Sequence, residues 1–328
     1  MRIAVFGAGA WGTALALAFC AKHRVVLWGR DAEHMRTLAA SRSNERYLPA
    51  APLPDELELS ADFGAAARGA DLHLVVTPLA GLRAAVGDLR HFQPHTPLIW
   101  ACKGLEAGTG KLPHEIVAET LGADAACGVL TGPSFAAEVA RGMPTAVTLA
   151  ASDAAFARRW VHALHQPRFR IYANSDLAGA EIGGAVKNVL AIAAGVSDGM
   201  GFGLNARAAL ITRGLAEIAR LAEALGGRQE TLMGLAGMGD LILTCTGDLS
   251  RNRRVGLALA QGKTLDEILG ELGHVAEGVS TAREVVKLAA RHDVSMPLCE
   301  AVDALLHSPR LGPREVVEQL LSREPKHE

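Results

Sequence analysis

The stretch Arg2-Ile3-Ala4-Val5-Phe6-Gly7-Ala8-Gly9-Ala10-Trp11-Gly12 decides the fold: an apolar strand delivers a GxGxxG turn onto a helix reading from about Trp11 to Lys22. In such a turn Gly7 permits the tight bend, Gly9 lets the backbone approach a pyrophosphate with no Cβ in the way, and Gly12 allows close helix-on-strand packing. The helix N-terminus adds unsatisfied N–H groups and a positive dipole end. In a chain with 35 glycines the motif alone says little. Its context says more, because a second apolar run, Arg24-Val25-Val26-Leu27-Trp28, arrives at the distance a βαβ unit requires. The segment after that strand reads Gly29-Arg30-Asp31, with no acid at the strand end to hold a ribose 2′-hydroxyl. Arg30 can pair with a 2′-phosphate, which favours NADP over NAD; the alternative is a solvated side chain lying over the adenine.

Working outward, the 328 residues suit two domains, and a hydrophobic content of 49% with mean hydropathy +0.18 is enough to bury two cores. Against 35 acidic side chains stand 33 basic ones, so no global field recruits nucleic acid or an anionic membrane. The five cysteines are widely spaced without a CxxC pair, and the 12 histidines form no HExxH. The expectation is therefore reduced thiols and no metal site. No cleavable leader and no run of 18 uncharged apolar residues is read, so the chain is expected to be soluble and cytoplasmic, with no membrane insertion.

Through the first half, helical stretches alternate with the apolar runs 72–76, 98–102, 128–130 and 146–149, ending at 169–172. Alternation of this kind implies crossovers and a mostly parallel sheet buried on both faces. The fold class expected is α/β: a Rossmann-type, mostly parallel sheet in residues 1–178, followed by an all-helical domain in 179–328. Leu210, Leu215, Ile218, Leu221, Ala222 and Leu225 trace one apolar stripe, with Arg213, Glu217, Arg220 and Glu223 placed elsewhere.

Two isolated charges mark the helical half. Lys187 is the only charge between Glu181 and Asp198, and Asp240 the only one between Glu230 and Asp248. A desolvated ammonium has a lowered pKa suited to proton transfer, and pairing with Asp240 would orient it. The bland alternatives are a snorkelling lysine and a turn or helix-cap aspartate. Ser250 reads as an N-cap, placing Arg251 and Asn252 in a first turn suited to a phosphate. The arginines at 251, 253 and 254 could instead form a solvated face or, with less support, a nucleic-acid patch. Lys103, after a buried strand and before Gly104, stands where a substrate oxyanion or phosphate would be held, unless it is an ordinary loop lysine.

Together the segments Gly7–Ala14, Ala101–Glu106, Thr131–Ala136 and Gly184–Asn188, with Asn205–Arg207, Gly239–Leu241, Ser250–Arg254 and Val275–Gly278, run in order over nearly the whole chain. They resemble the bacterial NAD(P)-dependent glycerol-3-phosphate dehydrogenase family. The resemblance implies reversible hydride transfer between NAD(P)H and dihydroxyacetone phosphate, giving sn-glycerol 3-phosphate for phospholipid synthesis. It implies that Lys187 is the acid/base, that Lys103 contacts substrate and cofactor, and that Gly132, Ser134, Asn188, Asp240, Ser250, Arg251 and Asn252 fall at substrate positions. It places Gly7, Gly9, Ala10, Trp11, Gly12, Arg30, Ala136, Arg251, Val275 and Glu277 at cofactor positions. Ala10 and Ser134 stand where other members often carry Ser and Thr; the first loses a possible phosphate contact and the second keeps its hydroxyl. A homodimer is compatible with the long apolar helices. The rival readings are another hydroxyacid or sugar-phosphate dehydrogenase of the same architecture, and a non-catalytic NADP sensor.

Overall fold

A computed structural model describes residues 1–272, 276–308 and 312–321. The chain divides into two units, one of Met1–Lys103 with Leu112–Leu177, the other of Gly104–Lys111 with Ala178–Glu328.

The first unit carries β1 (Arg2–Phe6), β2 (Arg24–Trp28), β3 (Ser43–Asn44), β4 (Leu48–Pro52), β5 (Glu58–Ser60), β6 (Leu72–Val75), β7 (Leu98–Trp100), β8 (Cys127–Thr131), β9 (Thr145–Ala150) and β10 (Phe169–Asn174). Eight of these form one sheet in the order β10-β9-β8-β7-β6-β1-β2-β5, while β3 and β4 make a separate antiparallel hairpin. All neighbours in the sheet run parallel except β8 and β9. The chain winds one way from β1 through β2 to β5 and the other way from β6 outward, so the order reverses between β1 and β6. In open sheets of this type ligands bind at the carboxyl ends of the strands beside that reversal.

The sheet is buried as a near-continuous apolar layer, with Ile3, Val5, Leu27, Leu72, Leu74 and Ile99 in the core. Helix α1 (Ala10–Cys20) follows β1 directly and buries Ala14, Leu15, Ala16 and Phe19. The hairpin and the short β5 are absent from the sequence reading. Leu48-Pro49-Ala50-Ala51-Pro52 carries two prolines, which removes the usual strand signal and suits a hairpin outside the main sheet.

In the second unit, α3 (Gly203–Ala224), α4 (Asp240–Thr246), α5 (Arg251–Ala260) and α6 (Glu277–Arg291) lie against α2 (Leu177–Gly199), and α7 (Pro297–His307) packs on α6. Every residue of α2 from Gly179 to Ile192 is buried. A helix apolar on all sides must be enclosed. By length and composition α2 could cross a membrane, yet 83% of its most apolar window is buried.

Small residues let α5 approach α2 closely. A Cβ added at Gly195 would stand 2.0 Å from the Arg253 carbonyl oxygen, and one at Gly256 would stand 2.0 Å from that of Ile192. No side chain larger than hydrogen fits either position at this separation.

Glu217 departs from its expected place off the apolar stripe of α3. Its side chain is buried, and its two carboxylate oxygens accept the Leu298 N–H at 2.8 Å and the Cys299 N–H at 3.3 Å. It satisfies the first turn of α7, whose own N-cap Met296 makes no side-chain hydrogen bond. Burial raises its carboxyl pKa, against the lowering effect of those N–H donors. Periodicity cannot detect a charge buried for this purpose.

Candidate active site

The cofactor turn lies in the first unit. Gly7 has φ +125° and accepts no substitution: an added Cβ would lie 2.8 Å from the Val76 carbonyl oxygen on the neighbouring strand end. At Gly12 an added Cβ would lie 1.8 Å from the Gly7 oxygen. Gly9 differs, because a Cβ there would meet nothing within 4 Å. It is also the N-cap of α1, makes no side-chain cap hydrogen bond, and has no acidic residue after it in the first turn. The opening above Gly9, lined by unsatisfied N–H groups, fits a pyrophosphate. Buried hydroxyls add to that fit: Thr77 Oγ1, just past β6, and Thr131 Oγ1, at the end of β8, have no hydrogen-bond partner among the described residues. Both sit at the carboxyl edge of the sheet, where a ligand would satisfy them.

Ala10 and Trp11 begin α1, half-buried against the core, and Ala136 opens the short helix Ala136–Ala140 that packs on α1. Arg30 is exposed beyond β2. Strand β7 stops at Trp100, so Ala101-Cys102-Lys103 leaves the sheet as a loop. Lys103 is half-buried, and its Nζ donates to the Gly132 carbonyl at 3.5 Å. Ser134 Oγ donates to the same carbonyl at 3.0 Å. Two of the expected substrate residues therefore share the carbonyl of a third, and the left-handed φ of +135° at Gly132 makes that turn possible.

In the second unit Lys187 and Asp240 meet. Lys187 Nζ donates to Asp240 Oδ1 and, at 2.9 Å, to Thr244 Oγ1. The lysine is 6% exposed and the aspartate 1%, so the ammonium does not snorkel and the carboxylate is not a solvated cap. Each charge is taken from water only because the other accompanies it. Thr244, absent from the expected residues, stands one turn after Asp240 on α4 and donates its own proton to the Asp240 carbonyl at 2.6 Å. The i, i+4 spacing was visible in the sequence, but threonine at that spacing is common on any helix. Beside it the Cys245 thiol is pushed up to about 12, mainly by burial.

The next residue on α2, Asn188, joins a second cluster. Asn252 Nδ2 donates to Asn188 Oδ1 at 2.9 Å, and the Gly278 N–H donates to Asn252 Oδ1 at 3.0 Å. Ser250 caps α5 by accepting the Arg253 N–H at 3.2 Å. Arg251, first residue of α5, is exposed, and Glu277, first residue of α6, is half-buried. Val275 lies outside the described residues. The arginines of this turn divide: Arg251 and Arg254 are exposed, whereas Arg253 is buried between Asp198 and Asp248. Among the described residues no group of three His, Cys, Asp or Glu is placed to hold a metal ion.

Residues 2–157 match the family model described as NAD-dependent glycerol-3-phosphate dehydrogenase N-terminus, and residues 176–318 match that described as its C-terminus. The chain belongs to the NAD-dependent glycerol-3-phosphate dehydrogenase family. It is 88% identical over 328 residues, the full length of both chains, to the glycerol-3-phosphate dehydrogenase (NAD(P)+) of Aromatoleum aromaticum. It is 61% identical to the enzyme of that name from Dechloromonas aromatica, over 100% of this chain and 99% of the relative. The crystal structure of glycerol-3-phosphate dehydrogenase from Coxiella burnetii superposes with a TM-score of 0.94 at 44% identity, covering 98% of this chain and 99% of that one. The family membership, the oxidoreductase class and the use of NAD or NADP agree with the resemblance read from the motifs.

Proposed function

We propose that this dehydrogenase reversibly reduces dihydroxyacetone phosphate to sn-glycerol 3-phosphate, with Lys187 delivering the proton. The observation that carries the reading is the buried Lys187–Asp240–Thr244 cluster. Reduction of a carbonyl adds a hydride to carbon and a proton to oxygen, and the nicotinamide, when bound, supplies the hydride. Asp240 and Thr244 accept hydrogen bonds from the ammonium and so orient it. After transfer the neutral amine can take a proton back from the alcohol in the reverse direction.

In this reading residues 1–178 bind the dinucleotide and 179–328 the substrate. Arg251 and Asn252 hold the substrate phosphate, with Asn188 and Ser250 fixing the turn that presents them. Lys103, Gly132 and Ser134 are further substrate residues in this reading. Gly7, Gly9, Ala10, Trp11, Gly12, Arg30, Ala136, Val275 and Glu277 serve the cofactor, and Arg30 selects NADP. Binding energy from the remote phosphate then helps to align the reacting carbon. The product feeds phospholipid synthesis in the cytoplasm, and the enzyme acts as a homodimer without nucleic-acid or membrane partners.

The test is Lys187→Ala. Turnover should fall by a factor on the order of 10² to 10⁴, while NADPH affinity, read from nicotinamide fluorescence, is unchanged. Turnover like that of the wild type would overturn the assignment.

A further inference from the structure

We propose that Arg46 is a specificity-determining residue that joins Arg30 in a two-cation seat for the 2′-phosphate of NADP. This rests on the reading of Arg30 given above and extends it to a residue that no family motif pointed to.

The β3–β4 hairpin brings Arg46 to the carboxyl end of β2. Its Nη1 lies 3.8 Å from Asp31 Oδ2, and its guanidinium carbon sits 5.0 Å from the centre of the Tyr47 ring. The hairpin is tied to the cofactor turn itself: Asn44, completely buried, donates Nδ2 to the Ala8 carbonyl at 3.0 Å and to Thr13 Oγ1 at 2.8 Å. The His34 ring stands edge-on to Tyr47 at 5.3 Å. Arg46 is thus a cation held at a fixed offset from the GxGxxG backbone, where the adenosine end of a bound dinucleotide must lie.

Asp31 makes this placement matter. It follows Arg30 directly, and an unopposed carboxylate here would repel a 2′-phosphate or accept a ribose 2′-hydroxyl, selecting NAD. The structure gives that carboxylate other work. Its Oδ1 accepts the Glu33 and His34 N–H groups, each at 3.1 Å, capping the following helix, and its Oδ2 faces Arg46. Those N–H donors and the Arg46 charge hold the carboxyl below its usual range. Burial, and after it the Arg46 charge, lower the pKa of the His34 imidazole. With Arg46 present, two guanidiniums stand against this carboxylate at the strand end; without it, one does. Removing Arg46 leaves Arg30 beside an uncompensated Asp31.

The experiment measures dissociation constants of NADPH and NADH by nicotinamide fluorescence for the wild type, Arg46→Ala, Arg46→Lys and Arg30→Ala, with thermal melts as folding controls. Arg46 is more than half exposed, so its variants should fold. Arg46→Ala should weaken NADPH by about tenfold or more, the loss of a charged contact, and leave NADH within about twofold. Arg46→Lys should recover part of the NADPH affinity, because it restores charge without the fork. Equal weakening of both dinucleotides would mean that Arg46 packs on the adenine and would overturn the proposal. If Arg30→Ala abolishes discrimination and Arg46→Ala does not, the Arg46 proposal fails while the Arg30 reading stands. If neither variant changes the ratio, both fail.

Discussion

Arg253 donates Nε to Oδ2 of Asp198 at 2.8 Å, and the other oxygen of that carboxylate accepts Nε of Arg207 at 2.7 Å. One aspartate near the end of α2 therefore ties down α5, which carries Arg251 and Asn252, and α3 as well. The side chain of Asp198 is 6% exposed and that of Arg253 11%, so this is a buried ion pair, whereas Arg207 at 22% is better solvated. Such a pair contributes little net stability, yet breaking it leaves a charge buried without compensation. Asp198→Ala should cost about 3–5 kcal/mol in urea unfolding. A loss below about 1 kcal/mol would mean that water and the existing Asp248 contact suffice for Arg253.

Two of the motif glycines should separate by experiment. Gly12→Ala places a methyl 1.8 Å from a carbonyl oxygen, so helix and strand must part and the melting temperature should fall. Gly9→Ala meets only open space, so the protein should melt as the wild type does. Its NADPH affinity should nonetheless drop, because the methyl enters the volume the pyrophosphate needs. Equal affinity in Gly9→Ala would move the cofactor away from this turn.

Thr244 gives Lys187 an oxygen acceptor besides Asp240. Thr244→Val keeps the shape and removes that oxygen, which should lower kcat/KM by roughly tenfold, the worth of a hydrogen bond to a charged group. Thr244→Ser keeps the hydroxyl and should retain most of the activity. If Ser and Val variants behave alike, the threonine serves packing and not the ammonium.

His73, buried in the sheet and edge-on to Phe6, should make the first unit acid-sensitive. Burial pulls its pKa from 6.5 down to about 4, only partly opposed by its hydrogen bond to the Ala67 carbonyl. The folded value lies below the unfolded one, so between these pH values the unfolded chain binds a proton that the folded chain refuses. Stability is thus full above pH 6.5 and falls as pH drops toward about 4, by roughly 3 kcal/mol at the low end. His23 and His34 shift in the same direction, so the diagnostic quantity is a difference. His73→Gln should flatten the dependence of melting temperature on pH across this window; parallel profiles would overturn the assignment.

Many of the candidate site residues stand out in the sequence because they carry local signatures. A charge alone in an apolar helix, as at Lys187, must be either enclosed or functional. A serine before three arginines, as at Ser250, announces a helix start. What escaped the reading were residues whose role depends on a distant partner: Glu217 capping α7, Asp198 holding α5, Asn44 pinning the hairpin, and Thr244 beside Lys187. Their neighbours in sequence are unremarkable for turns and amphipathic helices, so no spacing rule distinguishes them.

The alternation of apolar strands and helices, the GxGxxG turn and the switch to an all-helical second half are all readable from the residues alone. These follow from side-chain periodicity and glycine stereochemistry, which act over a few residues. Packing sets the rest: β9 runs antiparallel to β8, a proline-bearing hairpin returns Arg46 to the end of β2, and Lys187 meets Asp240 across 53 positions of chain. The physical reason is that burying a charge or fixing a strand's direction depends on what lies across the gap. Nothing within a few residues supplies that partner.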